Sequence, residues 1–139
     1  MRPTYEQDSD RNNEHHVASL YCKKGYTFEM TPKFFDFDVA YLDNGIIKAI
    51  AEIKCRTHAY GCYPTFFISA EKLRKLHALH VSTGLPTLII VSWSCGTVGH
   101  VMIPVEVTVT IGGRTERSDA KDIEMLVHIP IEKFTLKKQ

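Results

Sequence analysis

Several features that assign a function quickly are missing from this sequence. None of its four cysteines, Cys22, Cys55, Cys62 and Cys95, stands in a C-x-x-C pair, which removes the usual dithiol signature and predicts a reducing, cytoplasmic location. The opening MRPTYEQDSD carries no apolar stretch of the secretory kind. No apolar run approaches the roughly 20 residues that cross a bilayer, and even PTLIIVSW is only of strand length; a membrane role is set aside. Repeats and low-complexity tracts are absent as well. Nor is there an excess of charge of one sign. Seventeen Lys and Arg against sixteen Asp and Glu leave a formal +1, so the chain is not a polycationic coat, and any contact with nucleic acid has to come from a local basic surface. One such run lies between Arg56 and Lys75, where Arg56, Lys72, Arg74 and Lys75 face Glu71 alone.

What is present is an ordinary globular composition, 44% apolar and 24% charged over 139 residues. That length predicts one compact domain, residues 1–139, with a single core. Val17, Ala18, Leu20 and Tyr21 recur at helical spacing, predicting a first amphipathic helix from Asn12 with Gly25 as its stop. KFFDFDVAYL then alternates as a strand, with Phe35, Phe37, Val39 and Tyr41 on one face and Asp36 and Asp38 on the other. Asp43-Asn44-Gly45 tolerates positive φ and turns the chain into IIKAIAEIKCR, a second strand. There Ile47, Ala49, Ala51 and Ile53 share one side, and Glu52 and Lys54 the other.

The register of this hairpin decides whether its polar faces coincide, because a slip of one residue sends a strand's side chains to the opposite side. A two-residue Asn-Gly loop would set Asp38 across from Ala51 and part the acids. A three-residue loop with Gly45 in the left-handed region would set Asp36 opposite Glu52 and Asp38 opposite Ile50, bringing all the acids to one face. The second arrangement is expected, since it also gathers the odd-numbered apolar residues into one layer.

SAEKLRKLHALHVSTG predicts a second helix, with Ser69 as N-cap, Gly84 as stop and His77 and His80 near its apolar side. TLIIVSW follows as a buried central strand after a crossover helix. Beyond Gly96 the segments VGHVMIPV, VEVTVTI and MLVHIPI read as further strands extending that sheet. The expected fold is α/β: an α-β-β-α-β core with a mixed sheet flanked by helices, and a β-rich C-terminal extension.

Asp38, Glu52 and Lys54 place two carboxylates and an ammonium on one face of the hairpin. Hard oxygen donors suit Mg2+ or Mn2+, and Mg2+ keeps several waters and takes few protein carboxylates. Asp38 and Glu52, with the Ile53 carbonyl, form such a donor set. Lys54 cannot ligate while protonated, so its contribution is charge and hydrogen-bond donors beside the reacting phosphate.

These residues resemble the PD-(D/E)XK nuclease superfamily, and within it the small phage-encoded members. FDFDVAYLDNGIIKAIAEIKCR followed by PTFFISAEKLRKLHALHVSTGLPTLIIVSW is similar to that superfamily's core over roughly residues 12–95, with a phenylalanine, Phe37, where the name motif has proline. The resemblance implies a restriction-endonuclease-like core, with the first acidic position at Asp38 and the E-x-K at Glu52, Ile53 and Lys54. It implies a metal-dependent DNA endonuclease acting in phage DNA recombination, repair or processing, in the host cytoplasm if phage-encoded. It also implies a helical glutamate that completes the metal site; Glu14, on the stripe of Val17, Ala18 and Tyr21, is the candidate.

Arg56 and Lys72 are expected on DNA phosphates. Asp36 is open between a second acid and a bystander. Cys55, His58 and Cys62 make a poor zinc signature, having no obvious fourth ligand. Tyr60 and Tyr63 stack on bases or pack beneath their loop. Two alternatives stand beside the endonuclease reading. One is a Holliday-junction resolvase, which requires a homodimer presenting two sites; the other is a catalytically silent DNA- or protein-binding module on the same fold.

Overall fold

The computed structural model describes residues 8–32, 34–113 and 123–138. Helix α1 spans Asp8–Leu20, strands β1, β2 and β3 span Thr27–Met30, Val39–Asp43 and Ile46–Cys55, and β4 spans Thr65–Ser69. Helix α2, Ala70–Thr83, leads to β5, Thr87–Ser92, and β6, Val98–Met102. Strands β7, Thr108–Gly113, and β8, Ile123–Pro130, precede a short 3-10 turn and β9, Thr135–Leu136.

Two sheets result. The larger runs β1-β2-β3-β5-β6-β9, and the smaller β4-β8-β7. The β3–β5 pair is parallel and the other pairs are antiparallel, because parallel neighbours need a crossover and the chain supplies one through β4 and α2. The last third therefore does not simply extend the central sheet as expected. Strands β6 and β9 do, whereas β7 pairs with β8 and β8 with β4, a strand not expected from the sequence.

The large sheet separates two apolar layers. Val17 and Ala18 of α1 pack on Val39, Tyr41, Ala51, Ile53, Ile90 and Val98. On the other side Leu76 of α2 packs with Ile89, Val91, Trp93 and Val101, joined by Phe66, Ile68, Val127 and Ile129 of the small sheet. Leu76 is fully buried. Its replacement by alanine is expected to lower unfolding free energy by about 2–5 kcal/mol in urea titration, from lost transfer and the cavity left behind.

α2 has the expected ends. Ser69 Oγ accepts from the Lys72 amide at 3.1 Å, and Gly84, at φ 71°, donates to the His80 carbonyl. Of its two histidines, His80 is half-buried with Nδ1 2.8 Å from the Leu85 carbonyl, but His77 is exposed, contrary to expectation. Helix α1 begins earlier than expected and stops at Leu20; Gly25, at φ 86°, belongs to the turn into β1, a strand also not foreseen. No helix among the described residues is long and apolar enough to cross a membrane.

The first strand of the core hairpin is shorter than its alternation predicts. Residues 34–38 form no strand: Phe34 takes φ 67°, and Thr31 binds back to this segment, its amide donating to the Asp38 carbonyl at 2.9 Å and its hydroxyl to that of Phe37. Phe35 is consequently exposed, and Phe37 packs with the α2-side layer rather than beside Val39 and Tyr41.

Candidate active site

The hairpin turn corrects the expected register, yet Asp38 and Glu52 still come to one face. Asp43 pairs with Ile46 and Leu42 with Ile47, a two-residue Asn44-Gly45 turn. The register then shifts by one, so that Tyr41 pairs with Ala49, Ala40 with Ile50 and Val39 with Ala51, leaving Lys48 as the extra residue of a bulge. The parity change expected of a longer loop thus lies inside β3. Continued by one residue, the shifted register brings Asp38 into line with Glu52, where the expected one aligned Asp36.

β2 ends at Val39, and Asp38 takes over the edge that the ladder leaves. Its amide donates to the Ala51 carbonyl at 2.9 Å, and its Oδ2 accepts from the Ile53 amide at 2.7 Å. The carbonyl and amide of one strand residue face the same edge, so the Ile53 carbonyl is presented on the side of Asp38. Glu52, only 3% exposed, lies on the α2 side of the sheet with Lys54. Lys54 Nζ stands 3.4 Å from Glu52 Oε2, and Lys72 Nζ, from the first turns of α2, stands 3.4 Å from Oε1. Even so, Oε1 is buried and accepts no hydrogen bond.

The electrostatics follow from this packing. Burial, followed by the neighbouring charge of Asp38, pushes the Glu52 carboxyl up to about 7, against the opposing pull of Lys54 and Lys72. Burial also raises Asp38, opposed by the Ile53 amide and the same two lysines. Two adjacent carboxyl groups that resist ionisation together, one with an unsatisfied oxygen, are a place where added positive charge is stabilising.

Lys72, expected on a DNA phosphate, therefore stands with Asp38, Glu52 and Lys54. Asp36 does not: it is exposed, its Oδ1 lies 3.9 Å from Lys75 Nζ, and its carbonyl faces Lys72 Nζ at 3.4 Å. Glu14 is half-buried on α1, next to Asn13, whose Nδ2 lies 3.2 Å from Cys55 Sγ at the end of β3. That places it towards the same end of the sheet. Among the described residues, however, no three Asp, Glu, His or Cys side chains gather to hold a metal, so Glu14 does not close on Asp38 and Glu52, and Cys55, His58 and Cys62 form no cluster.

Arg56 continues the face of Glu52 and Lys54, its Nη2 donating to the Phe67 carbonyl at 2.9 Å and its guanidinium 4.6 Å from the Phe66 ring centre. The two loop tyrosines divide. Tyr60 packs edge-on against Trp93, and Tyr63 is exposed. Phe67 and His128, which line the same cavity as Arg56, escape the sequence reading because the β4–β8 register that pairs them spans 61 positions in the chain. The only local sign is the outward place of Phe67 between the buried Phe66 and Ile68.

A parallel strand pair joined through a helix, with acids and a lysine on the adjoining hairpin, defines the restriction-endonuclease-like class of fold. Within it the chain belongs to the family described as "Phage putative PDDEXK endonuclease", whose model matches residues 1–137. Among solved structures it is similar to Hjc, a Holliday junction resolvase from the archaeal hyperthermophile Archaeoglobus fulgidus, at 11% identity over 86% of each chain with a TM-score of 0.51. That likeness is one of fold. Comparison with curated proteins gives no match. The protein is thus a nuclease of the PD-(D/E)XK type.

Proposed function

We propose that the protein is an Mg2+- or Mn2+-dependent DNA endonuclease that hydrolyses phosphodiester bonds during phage DNA recombination, repair or processing. The observation that carries this reading is the pair of half-buried Asp38 and buried Glu52, side by side, with Glu52 Oε1 lacking a hydrogen bond. Asp38, Glu52 and the Ile53 carbonyl would suit a hard divalent cation that takes few protein ligands and keeps its waters, and Glu14 is the fourth candidate. When bound, such a cation lowers the pKa of water and offsets charge on the phosphate. Lys54 holds its ammonium beside Glu52, where it orients the attacking water and offsets negative charge as the phosphorus becomes five-coordinate. Lys72, 3.4 Å from Glu52 Oε1, offsets the charge of that carboxylate and supplies a second ammonium beside the site. Arg56, further along the same strand face, anchors a neighbouring phosphate.

Metal titration against a panel of single-stranded, duplex, flapped and four-way-junction DNA tests the proposal. Cleavage that requires Mg2+ or Mn2+ and stops with a chelator is the expected result. A protein that cuts nothing in either metal, or cuts equally well without one, would sink it. Strong preference for the four-way junction together with a dimer in solution would instead favour the resolvase alternative.

A further inference from the structure

Beside the acid site lies a cavity of about 600 Å³, lined by Arg56, His58, Tyr63, Phe67 and His128 among others, none of them acidic. It begins immediately past the end of β3, where the Arg56 amide still donates to the Ser92 carbonyl at 2.8 Å. Alternate residues of a strand lie about 6.8 Å apart on one face, so Arg56 stands one such step beyond Lys54. The volume falls within the range of small-molecule sites.

The rings of this cavity are exposed yet held in place. Tyr63 is 54% and Phe67 45% exposed. His58 meets Tyr63 edge-on at 4.7 Å between ring centres, and His128 lies 6.1 Å from Phe67. His128 is itself fixed from both sides, Nδ1 3.0 Å from Thr65 Oγ1 and Nε2 2.8 Å from Thr110 Oγ1. The hydrogen bond from Arg56 to the Phe67 carbonyl holds the guanidinium beside the same ring. Half-exposed aromatic rings, a guanidinium beside them and no carboxylate in the lining match a flat heteroaromatic base joined to a phosphate. Inside a duplex both faces of a base are already stacked, so a protein ring reaches only a base that has left its pair.

We propose that this cavity takes an unpaired nucleotide adjoining the cleaved phosphodiester, its base against Tyr63 and Phe67 and its phosphate on Arg56, and so directs the enzyme to DNA with single-stranded character. The role in cleavage rests on the nuclease reading; the binding of an unpaired base does not.

Binding by the full chain in chelator, without cleavage, provides the test. The probes are a single-stranded oligonucleotide containing 2-aminopurine and a blunt closed hairpin with the same base paired in its stem. Stacking quenches the first probe and leaves the second unchanged. Tyr63→Ala and Phe67→Ala each weaken single-strand binding roughly 5- to 150-fold, the range for loss of one base–ring stack, whereas Tyr63→Phe, which keeps the ring, binds like the parent. Single-strand affinity unchanged in both alanine variants, equal losses on the closed hairpin, or no single-strand binding by the parent would overturn the proposal. Ring-dependent quenching in a protein that cuts no DNA with any metal would remove the nuclease reading and leave the cavity's ligand standing. Metal-dependent cutting with no ring-dependent binding would do the reverse.

Discussion

Glu52→Ala and Lys54→Ala are each expected to abolish DNA cleavage while leaving a folded protein. Groups that stabilise transition-state charge directly lose roughly 10²–10³-fold in rate when removed singly, and loss of a metal-binding carboxylate costs at least as much because it also removes the cation's contribution. The double variant should be little worse than either single one, since the residues act as a unit. Folding is spared for a physical reason. Glu52 is a buried carboxyl whose ionisation the fold resists, and Lys54 is partly exposed at the strand's outer end. Far-ultraviolet circular dichroism and a urea titration check the fold, and single-turnover cleavage in Mg2+ checks the rate. Cleavage at the parental rate by Lys54→Ala would contradict the role given to it.

The second large effect is on stability and has a definite sign. The Glu52 carboxyl moves from 4.5 to about 7 on folding, so between those values the folded chain keeps a proton that the unfolded chain has released. Stability is therefore greatest below about pH 4.5 as far as this group is concerned, falls as pH rises towards 7, and is level above. The fall is on the order of 3 kcal/mol at 1.36 kcal/mol per pKa unit, with the raised Asp38 adding in the same direction. Urea titrations in chelator between about pH 5 and pH 8 should show this loss, and Glu52→Gln should remove most of it. A bound divalent cation would offset most of this fall, contributing about 2.7 kcal/mol at a hundredfold excess over its dissociation constant. A parent protein whose stability in chelator is flat across that range would show that Glu52 ionises freely.

The acids and lysine of the site were legible because strand alternation and a turn sequence are local signals. α2 was legible for the same reason, Ser69 and Gly84 marking its ends. The contribution of Lys72 was only half visible. Its distance from Glu52 depends on how α2 lies across β3, which no spacing within the helix encodes. Phe35 and Phe37 misled, because their alternation continues that of Val39 and Tyr41, although the chain has already left the sheet through the positive φ of Phe34. The small sheet was hidden for a further reason: β4 is five residues long, and its partner β8 comes from the far end of the chain. Such non-local pairing is decided by tertiary packing.

The bulge at Lys48 divides the hairpin into two separately phased parts. Beyond it, Ile46 and Ile47 are largely exposed and answer only to the Asn44-Gly45 turn. Before it, Val39, Tyr41, Ala51 and Ile53 are locked into the layer under α1. A change of chain length at the tip is therefore taken up at the joint between the parts. The alignment of Asp38 with Glu52 is inherited from the core, which frees the hairpin's tip to vary in sequence and length without disturbing the chemistry at its base.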